Sequence, residues 1–267
     1  GSSGITVENN WTPRQRYFIN RAGEGNVWKN NGPQVDEKIK LTAGLEDAYR
    51  HLLTERTARY KNQIVNSEYE KLIELIPPAG TKMKLNSLRS FMSRKGLNPD
   101  NVYRWKNRYV IFDIIDEYYQ LIEDLKKEFP EWKVRPYYDA FYLFDRNQCD
   151  DKPVTGKWKH IIMTVNLISD EQKQDEYFRY HRLQSKQWPE VSAGFCHAGF
   201  QRILMFRRGR QLMMMISIPE NKSLAEINPK ANENNPRMDE WNRIMATYQE
   251  SPDGVKGKTW VEMKRVR

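Results

Sequence analysis

A tyrosine and a histidine four residues apart, Tyr177 and His181, are the residues of this chain with the clearest potential for chemistry. They lie in the stretch DEYFRYHRLQSKQWPE, whose pattern indicates an amphipathic helix. Residues four apart share one helix face, and histidine, with an unperturbed pKa of about 6.5, suits proton transfer near neutral pH. The pair therefore predicts either an acid–base group beside an aromatic ring or a polar residue of an ordinary helix.

The elements that would position this pair make up the C-terminal part of the chain. In chain order they are a strand at 160–167, a helix from Ser169 or Asp170 to about Trp188, a hairpin of strands at 200–206 and 211–218, a helix at 238–249 and a strand at 259–264. The two strands of the hairpin are joined by a tight turn at Arg207-Arg208-Gly209. This order, β-α-β-β-α-β, is that of a ferredoxin-like fold within an α+β class. Its sheet has one face without helices, which must be covered, and ferredoxin-like domains often cover it by dimerising into an α/β barrel.

The N-terminal part is predicted to be an extended lead-in at 1–40 and a mixed helix and strand region at 41–150. The predicted elements there are helices at 45–76, 85–94 and 117–129, the last one capped by Asp116, and strands at 109–115 and 136–146. The polar segment 147–156 is the predicted boundary, and the C-terminal domain is assigned to 157–267.

Two segments, 109–146 and 160–208, share a layout of strand, acidic helix start, tyrosine-bearing helix, aromatic-Pro-Glu step and strand. One interpretation is an internal repeat, in which the N-terminal half covers the open sheet and one chain forms a pseudo-dimer. The alternative interpretation of the shared layout is that any two β-α-β pieces look this similar. The open sheet face could also be covered by homodimerisation.

The net charge of +9 and the pI of about 9.3 would favour acidic partners, but positive and negative residues alternate along the predicted helices. With no recognisable nucleic-acid motif, we predict no nucleic-acid partner. No apolar run approaches the ~20 residues of a membrane-spanning helix. Cys149 and Cys196 have neither metal-ligand nor Cys-x-x-Cys spacing, and either one disulfide or two free thiols is compatible with them.

The chain opens with Gly-Ser-Ser-Gly rather than methionine. This start is compatible with an exported or periplasmic protein whose signal peptide has been removed, and equally with a tag remnant. The sequence leaves the compartment unknown, with the cytoplasm as the alternative.

The segment from about Lys157 to the C-terminus resembles the L-rhamnose mutarotases, small ferredoxin-like sugar-anomer isomerases. The likeness covers about 110 residues. It depends on the opening strand, Tyr177-x-x-x-His181, Trp188-Pro189-Glu190, the hairpin ILMFRRGRQLMMMISI and the late helix DEWNRIMATYQ.

The resemblance implies a catalytic acid–base role for His181, sugar contact by Tyr177 and sugar stacking by Trp241. The family usually has a Trp-Trp pair where this chain has Trp241-Asn242, and a family tyrosine at the second strand is replaced by Gln201 or Arg202. The candidate substrate-binding residues are Tyr177, Trp188, Arg202, Trp241 and Asn242.

The predicted function is therefore a mutarotase that interconverts the α and β anomers of L-rhamnose or a related neutral or 6-deoxy monosaccharide. No metal or organic cofactor is implied. The alternative is a non-catalytic carbohydrate-binding or sensory protein on the same fold. In a third alternative, an interaction module, side chains would fill the pocket beside His181.

Overall fold

The computed structural model describes residues 70–81, 83–138, 140–154, 156–252, 255 and 259–266. The predicted lead-in at 1–40 and most of the predicted helix at 45–76 lie outside these residues. Among the described residues the chain is α+β, with one curled antiparallel sheet and six α-helices.

Ten strands form the described sheet. They are β1 Lys71–Ile76, β2 Val102–Trp105, β3 Arg108–Asp113, β4 Lys133–Tyr137, β5 Tyr142–Asp145, β6 Trp158–Leu167, β7 Arg202–Arg208, β8 Gln211–Pro219, β9 Gln249–Glu250 and β10 Val261–Arg265. Their order in the sheet is β4-β1-β3-β2-β10-β6-β8-β7-β5, with β9 paired to β6 outside this path. The N-terminal and C-terminal strands are therefore joined through the pairing of β2 with β10.

The described helices lie between these strands in the chain. They are α1 Leu85–Arg94, α2 Tyr118–Glu128, α3 Glu171–Gln187, α4 Pro189–Ala198, α5 Leu224–Asn232 and α6 Pro236–Ala246. A short 3₁₀ helix spans Arg146–Gln148.

Three apolar clusters pack the helices on the sheet and the two sets of strands on each other. One packs α1 and α2 on the N-terminal strands, and another packs α3 to α6 on the C-terminal strands. The third contains side chains from both sets of strands, namely Leu72, Phe112 and Tyr137 with Ile162, Leu204 and Met213. The sheet face that bears no helices is thus covered within this chain. The internal repeat itself stays a prediction, and so do the domain boundaries.

The C-terminal strands and helices that were predicted lie close to their predicted positions. Asp170 caps α3 by accepting a hydrogen bond from the Lys173 amide. Gly209 has a φ of 56° in the tight turn between β7 and β8, a conformation that suits glycine. The helix that carries His181 therefore lies where the sequence predicted it, although its buried residues are mostly polar.

Three local predictions in the N-terminal half were wrong. The predicted strand at 136–146 is two strands, β4 and β5, at opposite ends of the sheet order. Residues 71–76, which were predicted as the end of a helix at 45–76, form β1, which pairs with both β3 and β4 and has both faces buried. Asp116 does not cap α2, because Glu117 is the N-cap residue and makes no side-chain cap hydrogen bond.

Helices α4 and α5 were not predicted. Pro189 was taken only as the end of α3, but proline is also favoured in the first turn of a helix, and here it begins α4. Helix α5 carries a capping box, in which Ser223 and Glu226 each bond the other's backbone amide. The Ser223-x-x-Glu226 spacing was the sequence signal that could have located this helix.

Cys149 and Cys196 form a disulfide, which resolves the alternative that the sequence left open. It joins the segment after β5 to helix α4. The guanidinium of Arg146 supports the same junction by donating to the carbonyl oxygens of Cys196 and Phe200, at 2.9 and 3.2 Å.

Replacing both cysteines with serine is expected to lower the free energy of unfolding by about 2–4 kcal/mol. The two cysteines are 47 residues apart, and closing a loop of this length restricts the unfolded chain. Urea unfolding of the double variant and the oxidised wild type would measure the difference. Equal midpoints and slopes would contradict the prediction.

Candidate functional site

His181 lies on the face of α3 that packs toward the sheet, and it is 5% exposed. Its Nδ1 is 3.0 Å from the backbone carbonyl oxygen of Tyr177, one helical turn earlier. A carbonyl oxygen only accepts hydrogen bonds, so the neutral ring carries its proton on Nδ1. The lone pair is consequently on Nε2, which is the nitrogen able to accept a proton from a ligand.

Burial lowers the pKa of His181 from its ordinary value of 6.5 to about 4, and the hydrogen bond to Tyr177 opposes this only in part. The imidazole is therefore neutral at pH 7 and available as a base. Because the folded pKa is below the unfolded one, protonation favours unfolding. Relative to its value above pH 6.5, the free energy of unfolding therefore decreases as the pH falls from about 6.5 toward 4.

Four aromatic rings surround the imidazole. Their centroids lie 4.3 Å (Tyr177), 5.2 Å (Trp241), 5.3 Å (Tyr142) and 5.7 Å (Phe141) from that of His181. They come from α3, α6 and the β5 region, so the fold brings three separate parts of the chain to this histidine. The rings restrict the orientation of the imidazole and shield much of it from solvent.

A chain of hydrogen bonds orients the Tyr177 hydroxyl. The Trp260 indole donates to Oε1 of Gln249 at 3.0 Å, and Nε2 of Gln249 donates to the Tyr177 hydroxyl at 3.4 Å. Burial raises the pKa of Tyr177, so the hydroxyl keeps its proton. With Gln249 as the donor in this contact, the hydroxyl can donate its own hydrogen to a ligand.

A cavity of about 520 Å³ lies against these groups, between the sheet and α3 to α6. Its polar lining comes from Tyr142, Tyr177, His181, Asn228, Asn232, Asn242, Gln249 and Thr259. The rest of the lining is apolar or tryptophan, and none of the described lining residues carries a formal charge at neutral pH. The cavity therefore suits a neutral ligand, and the alternative of a filled pocket does not fit this geometry.

Four of the six predicted site residues line the cavity: His181, Tyr177, Trp241 and Asn242. Trp188 does not line it. Its ring packs 5.6 Å from that of Trp241, and the Arg237 guanidinium lies 3.7 Å from its centroid on another side. Trp188 thus packs against Trp241 without lining the cavity itself.

Arg202 also lies outside the lining. It makes ion pairs with Glu70 at 2.9 Å and with Asp145 at 3.3 Å, and its guanidinium stacks on Trp158. These contacts hold Arg202 beside Glu70 before β1, Asp145 of β5 and Trp158 of β6.

Three further residues that line the cavity were not predicted as site residues, namely Tyr142, Asn228 and Gln249. Tyr142 reaches the cavity because β5 pairs with β7, across the predicted domain boundary. Asn228 lies on α5, a helix that was not predicted. Among the described residues no cluster of side chains could hold a metal ion, and no helix of this part of the chain is long and apolar enough to cross a membrane.

Comparison with known proteins assigns a class to the C-terminal part. Residues 159–266 match the sequence model of the L-rhamnose mutarotase family. An L-fucose mutarotase of Xanthomonas campestris is 28% identical over 109 residues, which make up 40% of this chain and 86% of that protein. The C-terminal segment is thus L-rhamnose-mutarotase-like and of the isomerase type, which confirms the resemblance drawn from its motifs.

A solved structure from Fusobacterium nucleatum, provisionally described as a monooxygenase, aligns with 74% of this chain and 92% of its own. Its sequence identity is 11% and its TM-score is 0.37. A similarity at this level carries no conclusion about activity.

Proposed function

We propose that the C-terminal part of this protein interconverts the α and β anomers of a neutral reducing sugar, L-rhamnose or a related 6-deoxy sugar. The observation that carries the proposal is the pairing of a neutral His181, with Nε2 as its accepting nitrogen, and a protonated Tyr177 beside an uncharged cavity. The family match agrees with it.

Mutarotation opens and recloses the sugar ring. In the proposed reaction Nε2 of His181 takes the proton of the anomeric hydroxyl, the electron pair of the O1–H bond forms the second C1–O1 bond of the aldehyde, and the C1–O5 pair leaves to O5. The imidazolium returns the same proton to O5, which in the closed ring is bonded to the same carbon as the anomeric oxygen. Rotation about C1–C2 then presents the other face of the aldehyde, and the reverse steps close the ring to the other anomer. A single imidazole can therefore serve as base and acid.

The other lining residues bind and orient the sugar. Tyr177 donates a hydrogen bond to an oxygen of the reacting group, and the indole of Trp241 packs on the C–H face of the ring. Asn242 provides an amide for a ring hydroxyl. Trp188 fixes the Trp241 indole and has no direct contact with the sugar in this proposal.

Saturation-transfer NMR tests the proposal on L-rhamnose, L-fucose and D-galactose. We expect faster anomer exchange for at least one of them. The acceleration of anomer exchange should be at least tenfold smaller for D-galacturonate. Its carboxylate would have to be desolvated in a cavity that has no counter-charge, which is costly. Equal acceleration of the charged sugar would contradict this site. Line broadening without faster exchange would favour the non-catalytic binding protein.

Two further features support the wider proposal. When the two-residue strand β9 is left out, the strand orders β4-β1-β3-β2 and β10-β6-β8-β7 both read fourth-first-third-second along their halves. This agreement supports ferredoxin-like halves and a pseudo-dimer within one chain. The disulfide supports export to an oxidising compartment, where such bonds persist.

A further inference from the structure

We infer that the sugar substrate carries a short apolar substituent on one of its hydroxyl oxygens other than the anomeric one. This inference rests on the proposed function and narrows its substrate class. It is drawn from the floor of the cavity, its size and its lack of charge.

The floor is a row of side chains that crosses four adjacent strands. Tyr142 of β5 pairs with Met205 of β7, Met205 pairs with Met214 of β8, and Met214 pairs with Met163 of β6. Side chains directly opposite one another point to the same sheet face. All four line the cavity, so three methionines lie in a continuous row that begins at Tyr142.

A second apolar row lies beside the first. Ile203 pairs with Ile216, two residues along from Met205 and Met214, and both isoleucines line the same cavity. Met163 and Met214 are only half-buried, so they present apolar surface to the empty space. The floor therefore offers area for an apolar group.

A sugar with all its hydroxyls free does not match this floor. A buried hydroxyl left without a partner is destabilising, and these methionine and isoleucine side chains provide no strong hydrogen-bonding group. Apart from Tyr142 at one end of the row and Thr259 before β10, the polar groups of the lining lie on α3, α5, α6 and β9. The sugar ring belongs among them, beside His181, and the apolar floor is left for another part of the ligand.

The size of the cavity allows a ligand larger than an unsubstituted 6-deoxyhexose. At a liquid volume of about 30 Å³ per water, about 520 Å³ corresponds to roughly 17 waters. A 6-deoxyhexose has about 11 non-hydrogen atoms, and bonded atoms occupy less space than separate waters do. The remaining volume accommodates several more carbon atoms.

The chemistry of the reaction fixes where the substituent can be attached. The anomeric hydroxyl must be free for the ring to open, so the substituent is attached to the oxygen of another hydroxyl group. It is uncharged, because the described lining residues are uncharged. Methionine side chains adapt to irregular apolar shapes, which suits a short alkyl or acyl chain. The inferred substrate class is therefore O-alkylated or O-acylated reducing 6-deoxy sugars.

The probes are the 3-O- and 4-O-methyl, propyl and pentyl ethers of L-rhamnose, since ethers do not migrate as esters do. We expect kcat/KM for anomer exchange to exceed that of L-rhamnose in at least one series. It should rise by roughly fourfold for each methylene that is buried, until the floor is covered.

Met214→Gln and Met163→Gln keep the side-chain length and make the floor polar, and each is expected to reduce the gain per methylene. Ile114→Gln is the matched control, because Ile114 is 53% exposed and does not line the cavity. It should keep the wild-type gain. Thermal unfolding of each variant shows whether the fold is retained.

The outcomes separate the inference from the proposed function. Faster exchange of L-rhamnose with no gain from either ether series would overturn the inference and leave the function standing. No faster exchange for any sugar would overturn the function. In that case tryptophan-fluorescence titration with the same ethers decides the inference: affinity that rises with chain length supports the apolar subsite, and affinity independent of length overturns it.

Discussion

Replacing His181 with alanine is expected to lower the catalysed rate of anomer exchange by about 10²–10⁴-fold, the usual contribution of a positioned acid–base group. The rate is measured by saturation-transfer NMR on the neutral sugar that the wild type accelerates most. The matched control is His197→Ala. His197 is also a helix histidine, but its side chain is 60% exposed and pairs with Glu233, so its loss should leave the rate unchanged.

The pH profile separates a catalytic His181 from one that only supports the cavity. Because the pKa of His181 is about 4, the wild-type rate should be flat from about pH 6 to 8 and should fall only as the pH approaches 4. Circular dichroism at each pH excludes unfolding. A wild-type inflection near 6.5, or a His181→Ala variant that retains the full rate, would contradict the assignment.

The sequence was sufficient to predict the helix that carries the site because both of its ends have clear signals. Asp170, one of the two predicted cap residues, caps its start, and Pro189 follows its end. Its buried face is largely polar, with Gln174 and Gln184 beside Tyr177 and His181. The hairpin was equally clear from its alternating strands and from Gly209. Local signals of this kind depend on residues near in the chain, which is why a single sequence reveals them.

The strands that were missed depend on contacts between residues distant in the chain. The stretch KLIELI has an apolar spacing that fits a helix end or a buried strand, and periodicity cannot separate the two in so short a run. The predicted repeat also depends on pairings between residues that are distant in the chain. It matched β3, the third strand of its half, with β6, the first strand of the other half.

Helix packing explains why α4 and α5 gave weak signals. A Cβ on Gly194 would lie 2.6 Å from the backbone oxygen of Ala231, so the two helices approach closely only because residue 194 is glycine. Pro229 lies inside α5. Both residue types count against a helix in a reading of sequence alone, although the packing of the pair places Asn228 at the cavity.

Glu74 provides the second large expected effect, on stability. Its side chain is fully buried on β1, and Oε1 accepts hydrogen bonds from Nε of Arg108 at 2.6 Å and from Gln211 of β8 at 3.4 Å. Its Oε2 lies 3.4 Å from Nη1 of Arg135. The carboxylate therefore joins β3, β4 and β8, strands of both halves, within the sheet interior.

Glu74→Gln is expected to lower the free energy of unfolding by about 3–5 kcal/mol, because removing one partner of a buried ion pair leaves the other charges uncompensated. Urea unfolding measures the change. Glu123→Gln is the matched control, since Glu123 pairs with Lys126 on an exposed helix face, and such pairs contribute at most about 1 kcal/mol. If Glu74 holds the two halves together, its variant should also broaden the transition or divide it in two. A Glu74→Gln variant as stable as Glu123→Gln, with a single sharp transition, would show that the apolar cluster between the halves suffices without this carboxylate.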